Sequence, residues 1–159
     1  MNSKSSVKAV GLIEIIVRDK RGNIKHHLKA IRNVITDAGL AALIRLAFSG
    51  LSENKFGYLA IGTGTTAEDA SDTALESEVA RKAASVSQIT TTVTNDTALL
   101  EATFSSADGL SGTASISEVG IFNASSGGTM LARRVISAIN VDWDAGDSIT
   151  IKYYVQITR

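Results

Sequence analysis

Residues 148–158 have the sequence SITIKYYVQIT, in which apolar and polar side chains alternate without interruption. The positions that share the apolar face are Ile149, Ile151, Tyr153, Val155 and Ile157. Because successive side chains of a β-strand point to opposite faces of its sheet, this segment is predicted to be a strand with one buried face. A second segment, VKAVGLIEIIVR at 7–18, is rich in β-branched residues and also predicts a strand. Turn-forming residues at 19–23 connect it to residues 24–30, which predicts a hairpin.

Further strands are predicted where short β-branched or aromatic runs lie between turn residues. They cover residues 56–61, 86–94, 99–104, 116–122 and 129–136. About eight strands and one helix predict a mainly β protein with one α-helix, folded as a β-sandwich or jelly-roll-like single domain. Within that single domain, 1–159, we expect an N-terminal β-hairpin arm at 1–32, a helix at 33–50 and a β-sandwich body at 55–159.

The helix is predicted from its start signal and from one apolar stripe. Thr36 is a typical N-cap residue, and Asp37 places a negative charge in the first turn. The stripe, which we expect to be buried in the core, consists of Leu40, Leu43, Ile44 and Ala47. Gly50 is suited to end the helix. A short helical turn is also predicted at Thr73, because Glu76 completes a capping-box pattern.

Composition restricts the kinds of site that this chain can hold. Cysteine is absent, and the only histidines, His26 and His27, are neighbours in a predicted strand and therefore point opposite ways. The net charge is zero, but residues 1–50 hold nine Lys and Arg against three Asp and Glu, whereas 51–128 hold three against ten. This distribution suits complementary contacts between copies or neighbours, or two solvated faces, better than nucleic-acid binding. No apolar run is long enough for a transmembrane helix.

Three sequence features are candidates for functional sites. Gly62-Thr63-Gly64 follows a strand, but it lacks the third glycine and the lysine of phosphate-binding loops, so we interpret it as a bend where two backbone segments approach closely. Asp142, Asp144 and Asp147 match part of a calcium loop, although the glycine and the final glutamate are not where that loop requires them. Acid–base chemistry would need a partner for the acidic set, which is Glu68, Asp69, Asp72, Glu76 and Glu78. No such partner is evident, and no cofactor is expected.

Several segments, taken in order, carry a resemblance to a known family. They are NVITDAGL at 33–40, YLAIGTGTT at 58–66, DTAL at 72–75, SEVGIFNA at 117–124, GGTMLAR at 127–133 and GDSITI at 146–151. Together they resemble small structural proteins of tailed-phage virions, a family of capsid decoration and tail-associated components. The resemblance spans residues 33–159. It implies a structural role, with no enzymatic residues to assign.

The resemblance predicts a non-enzymatic virion protein, made in the host cytoplasm, that forms a homo-oligomer, a dimer or a trimer. The first hypothesis is a capsid decoration or cement protein that binds the major capsid protein and stabilises its lattice. The second is a tail, baseplate or fibre-attachment subunit bound to another virion protein. Neither nucleic acid nor a membrane is an expected partner. The residues predicted to dock on the assembly are Arg18, Lys20, Arg21, Lys25, Lys29 and Arg32.

A hypothesis of another class is a carbohydrate-binding module, because β-sandwiches are common in such modules. Stacking of sugar rings requires exposed aromatic side chains. Aromatic residues make up only 5% of this chain. The candidates for stacking are Tyr58, Trp143, Tyr153 and Tyr154.

Overall fold

The computed structural model describes residues 6–48 and 50–159, which form ten β-strands and one α-helix. Sheet A contains β1 (Lys8–Arg18), β2 (Ile24–Arg32), β6 (Ser85–Ile89), β7 (Thr97–Phe104) and β10 (Ser148–Thr158). Sheet B contains β3 (Val34–Ile35), β4 (Tyr58–Gly62), β5 (Glu78–Ala83), β8 (Thr113–Phe122) and β9 (Met130–Asp142). The helix, α1 (Asp37–Ala47), follows β3, and a short 3₁₀ turn lies at Ser106–Asp108.

Both sheets are antiparallel, with the order β2-β1-β10-β7-β6 in sheet A and β3-β9-β8-β4-β5 in sheet B. The chain passes from sheet A to sheet B between β2 and β3 and between β7 and β8, and it returns between β5 and β6 and between β9 and β10. Two of these four connections, β2–β3 and β5–β6, join edge strands. The mainly β class, the single helix and the sandwich are therefore confirmed.

The core lies between the two sheets and follows the predicted alternation. In β10, Ile149, Ile151 and Tyr153 are fully buried, and Val155 nearly so. Sheet B supplies the opposing apolar layer, and its fully buried members include Leu59, Ile61, Val119 and Ile121. Ile157, at the end of the same alternation, is 46% exposed, because β10 extends beyond the covered part of the core.

The hairpin at residues 6–32 is part of the sandwich, so the prediction of an arm separate from the body was wrong for the described residues. β1 lies between β2 and β10 and pairs with β10 over its whole length. Its alternate residues Ile13, Ile15 and Val17 are fully buried in the core. A strand with such an apolar face must be covered by the core. The prediction of an arm followed the basic residues of the same segment, which do not indicate this burial. Residues 1–5 of the predicted arm lie outside the described part of the chain.

Strand β5 and the segment before it differ from the sequence prediction. β5, with the sequence EVARKA, was missed because it is a polar edge strand whose side chains do not alternate. The helical turn expected at Thr73 is absent, since residues 73–77 contain only bends and irregular backbone. The carboxylate of Glu76 does not cap Thr73 and instead accepts hydrogen bonds from the backbone N–H groups of Thr65 and Thr66.

Helix α1 begins as predicted, but the face it buries is not the expected one. The Thr36 hydroxyl accepts a hydrogen bond from the Gly39 N–H (2.9 Å), which confirms the N-cap. The helix buries its small residues, Gly39 and Ala42, and its main contacts are with β9. Because a Cβ on Gly39 would lie only 2.5 Å from the Leu131 carbonyl oxygen, the backbones approach too closely for a large residue there.

The expectation that the whole apolar stripe of the helix belongs to the core was wrong. Leu43 packs against the core, but Leu40 and Ile44 are 46% and 56% exposed. Ala47 is exposed as well. The helix rests on its smallest side chains, and its largest ones therefore remain at the surface. Among the described residues, no helix is long and apolar enough to cross a membrane.

Candidate functional site

A buried ion pair between Glu118 and Arg133 holds the long loop 63–77 on sheet B. The Arg133 Nε and Nη2 both lie 2.9 Å from Glu118 Oε2, and both side chains are almost completely buried. The Arg133 Nη1 donates to Asp72 (2.9 Å) and Nη2 to the Thr66 carbonyl (3.1 Å). Burial opposes the charge of Arg133, but the hydrogen bonds to Asp72 and Glu118 outweigh it and raise its pKa. This arginine therefore remains a permanent cation that connects β9, β8 and the loop.

The Glu118 carboxylate also accepts three backbone N–H groups of the same loop, from Gly64 (3.0 Å), Glu76 (3.0 Å) and Ser77 (2.7 Å). This explains the Gly-Thr-Gly motif. A Cβ on either Gly62 or Gly64 would lie 2.5 Å from Glu118 Oε1. A Cβ on Gly62 would also lie 2.5 Å from the Ser77 backbone carbonyl oxygen, as the interpretation of a bend between close backbone segments expects. The Gly64 N–H, which a phosphate would need, is already used.

Four of the five residues of the acidic set lie in loop 63–77, where their carboxylates accept hydrogen bonds, and the fifth, Glu78, lies on β5 and pairs with Arg81. Glu76 accepts hydrogen bonds from the backbone and hydroxyl of Thr66 and from the Thr65 N–H, and these lower its pKa. Glu68 lies 2.5 Å from Arg134 on β9 and accepts the Val135 N–H. Such carboxylates are ionised hydrogen-bond acceptors, which is a positioning role.

Residues from four sequence segments that are separated along the chain meet at this ion pair. Gly64, Asp72, Glu118 and Arg133 come from four different segments, and Ser117 adds a hydrogen bond from its hydroxyl to the Gly64 carbonyl (2.8 Å). Sequence reasoning did not find the pair. The signal that could have found it is charge inside a mainly apolar strand, which occurs at Glu118 in SISEVGIF and at Arg133 and Arg134 in MLARRVI.

No protein-family model, curated protein or solved structure matches this chain.

The three aspartates of the partial calcium loop face different partners. Asp147 lies 2.5 Å from Lys25 and accepts the backbone N–H of Asp142 (3.0 Å). Asp144 accepts the N–H of Gly112 (3.0 Å), and Asp142 accepts an N–H of its own turn. Within residues 6–48 and 50–159, no group of three or more His, Asp or Glu side chains is placed to hold a metal ion. Asp142 and Asp147 therefore close the turn between β9 and β10, and Asp144 joins that turn to the loop before β8.

The six basic residues predicted to dock divide into two groups. Arg18 donates to the Gly22 carbonyl within its own hairpin (2.9 Å), and Lys25 is the partner of Asp147. The other four are exposed on the hairpin turn and on edge strand β2, and they are Lys20, Arg21, Lys29 and Arg32. Basic residues on an edge strand also discourage pairing with the edge of another sheet, which is a structural reason for their presence.

Of the two histidines, His27 has a carboxylate partner that sequence reasoning missed. Its Nε2 lies 2.6 Å from Glu14 Oε1, and the Tyr154 hydroxyl donates to Glu14 Oε2 (3.2 Å). The hydrogen bond from His27 is the main reason that the pKa of Glu14 is lowered. Glu14 comes thirteen residues before His27, and only the pairing of β1 with β2 brings them together.

The aromatic side chains proposed for sugar stacking are only partly available. Trp143 and Tyr153 are buried in the core, and Tyr153 accepts a hydrogen bond from the Asn33 side chain. Tyr58 and Tyr154 are half-buried. Tyr154 lines a groove on the outer face of sheet A, beside Glu14.

An apolar surface surrounds helix α1, and we call it the helix surface. It is a groove of about 590 Å³, whose lining residues are Val7, Ala9, Leu40, Leu43, Ile44, Leu46, Ala47 and Ile157. Phe48 and Leu51, which are 61% and 52% exposed, follow the helix directly. The charge of Arg45 is neutralised within the chain by Glu53, at 2.6 Å.

Proposed function

We propose that this protein is a non-enzymatic structural subunit that associates with copies of itself and docks on a tailed-phage virion. Its first role would be a capsid decoration or cement protein that stabilises the lattice of the major capsid protein. The alternative in the same class is a tail, baseplate or fibre-attachment subunit. The virion part of the proposal rests on the ordered sequence resemblance over residues 33–159.

The single observation that carries the self-association is the helix surface. Leu40 and Ile44 of helix α1 and its C-cap residue Phe48 are each at least 46% exposed. Isolated exposed apolar side chains are ordinary, but a contiguous group of this kind marks an interaction site.

A second copy of this chain is the occupant that fits the helix surface best. The surface carries a groove, and the exposed apolar side chains of Phe48 and Leu51 come after the helix in sequence. Under a twofold rotation, apolar side chains of one copy can contact the groove of the other, and the reverse contact forms at the same time. Arg45, which lies on the same helix, is already paired with Glu53. A second copy that covers the helix surface would therefore not leave the charge of Arg45 without a partner.

Self-association is tested by a charge placed in the groove. Ile44→Lys adds a cation at a position that is 56% exposed, so the fold has little reason to change. Ile24→Lys is the matched control, since Ile24 is 51% exposed. It lies next to the turn of the β1–β2 hairpin, whereas the helix surface contacts the start of β1. We expect light scattering on a sizing column to show dissociation for Ile44→Lys alone. Equal masses for both variants and the wild type would show that the helix surface does not mediate self-association.

Docking on particles is tested separately, through the exposed basic residues. Arg21→Glu combined with Arg32→Glu reverses two charges on the exposed edge and leaves Lys25 with its partner Asp147. We expect lower occupancy on virions with an unchanged melting temperature. Unchanged occupancy would exclude the basic edge as the docking surface. Copy number per particle, measured by quantitative mass spectrometry, narrows the role, because hundreds of copies fit the head surface or the tail tube, whereas a few to a few dozen fit a tail tip, a collar or a fibre.

A further inference from the structure

We infer that the groove on the outer face of sheet A is a binding site for a neutral saccharide. The groove, called here the sheet A groove, has a volume of about 430 Å³, which is within the range of small-ligand sites. It is independent of the helix surface, so the two can be tested apart.

The floor and the wall of the sheet A groove suit one face of a sugar ring. Val10, Leu12 and Ile89 supply apolar surface, and Tyr154 supplies an aromatic side chain among them. A pyranose ring has one face of C–H groups, which stacks on an aromatic side chain. The hydroxyl groups at its edge form hydrogen bonds with polar side chains.

The polar groups of the groove are held in place before a ligand arrives. Glu14 is fixed by His27 at 2.6 Å and by Tyr154 at 3.2 Å, and each of its oxygens keeps a further lone pair. The side-chain amide of Gln156 is fixed by donating to Thr92 (2.9 Å) and Asp96 (2.8 Å). Groups that are already oriented lose little entropy when they bind.

The backbone opposite Glu14 is irregular in a way that serves the groove. The pairing of β1 with β2 shifts register between Ile13 and Ile15, and Ala30 has a φ of +53°. A bulge of this kind redirects side chains and is common beside binding sites. Here the bulge lies next to Lys29, which lines the groove together with Glu14. A lysine side chain can donate hydrogen bonds, and the Glu14 carboxylate can accept them.

The charges of the groove favour a neutral ligand over an ion. The two charged residues that line it are of opposite sign, Glu14 and Lys29. An anionic ligand would meet Glu14 and a cationic ligand would meet Lys29, whereas hydroxyl groups can donate to the first and accept from the second.

The test is titration of the full-length protein, followed by ¹H–¹⁵N NMR, with neutral disaccharides: maltose, cellobiose, lactose and N,N′-diacetylchitobiose. Millimolar binding is expected, with shifts at the amides of Leu12, Glu14 and Tyr154. Glu14→Gln should weaken binding by about tenfold, because a hydrogen bond to a charged acceptor is lost. Glu101→Gln is the matched control, since this carboxylate pairs with Lys152 on the same sheet and does not line the groove.

Three results would overturn the inference. The first is no shift with any of the four sugars, the second is a set of shifts elsewhere on the protein, and the third is equal weakening by both glutamine variants. None of these results depends on the oligomeric state. A failure of the saccharide site is therefore distinguishable from a failure of the proposed self-association.

Discussion

Arg133→Met removes the cation that compensates the buried carboxylate of Glu118. The methionine keeps the apolar part of the side chain, but Glu118, which is fully buried, retains only its three backbone N–H donors. Breaking a buried ion pair by removing one partner costs about 3–5 kcal/mol. In a domain of this size, that corresponds to a fall in melting temperature of roughly 6–20 °C.

The assay is urea unfolding at neutral pH, with calorimetry for the melting temperature. Lys152→Met is the control, because Lys152 and Glu101 form an exposed pair at 3.8 Å, and such pairs contribute about 1 kcal/mol or less. The double variant Glu118→Gln with Arg133→Met should cost less than the sum of the single variants, since it leaves no buried charge unpaired. If Arg133→Met cost no more than Lys152→Met, the ion pair would not be what holds loop 63–77.

Three further predictions concern the loop, the helix and the dependence on pH. Gly64→Ala should lower the free energy of unfolding by about 1–3 kcal/mol, because the new Cβ would meet Glu118, whereas Gly57→Ala, which meets nothing within 4 Å, should change it little. Thr36→Ala should cost about 1–2 kcal/mol by loss of the N-cap and of the hydrogen bond to the Met130 carbonyl, and Thr36→Ser should recover most of it in the same urea assay. Burial opposes ionisation of Asp147, but the hydrogen bonds from Lys25 and Asp142 lower its pKa, so its contribution is present above about pH 4 and is lost as the pH falls further. Unfolding curves for Asp147→Asn should therefore show lower stability at pH 7 and a shallower loss in acid; an unchanged acid limb would contradict this.

The strands could be predicted from sequence where one face alternates. Residues 148–158 form β10 because only a β-strand places every second side chain on the same face, where the apolar ones can be buried. β5 could not be predicted in this way, since an edge strand with exposed side chains has no apolar period. The helix was located from Thr36, but its buried face was not, because close packing of Gly39 on the Leu131 backbone depends on where β9 lies.

The candidate sites depended more on tertiary structure than the strands did. Glu118 and Arg133 are fifteen residues apart, and only the pairing of β8 with β9 brings them into contact. Glu14 and Tyr154 are 140 residues apart and meet through the pairing of β1 with β10. The partial calcium loop had suitable residue types, but its carboxylates are directed to Lys25 and to backbone N–H groups by the turn between two strands.

Sedimentation velocity of the wild-type protein over a range of concentrations tests the self-association most directly. The chain has a mass of 16.7 kDa. We predict a species of two chains, which dissociates when Ile44 is replaced by lysine. A single species of one-chain mass at every concentration would contradict it.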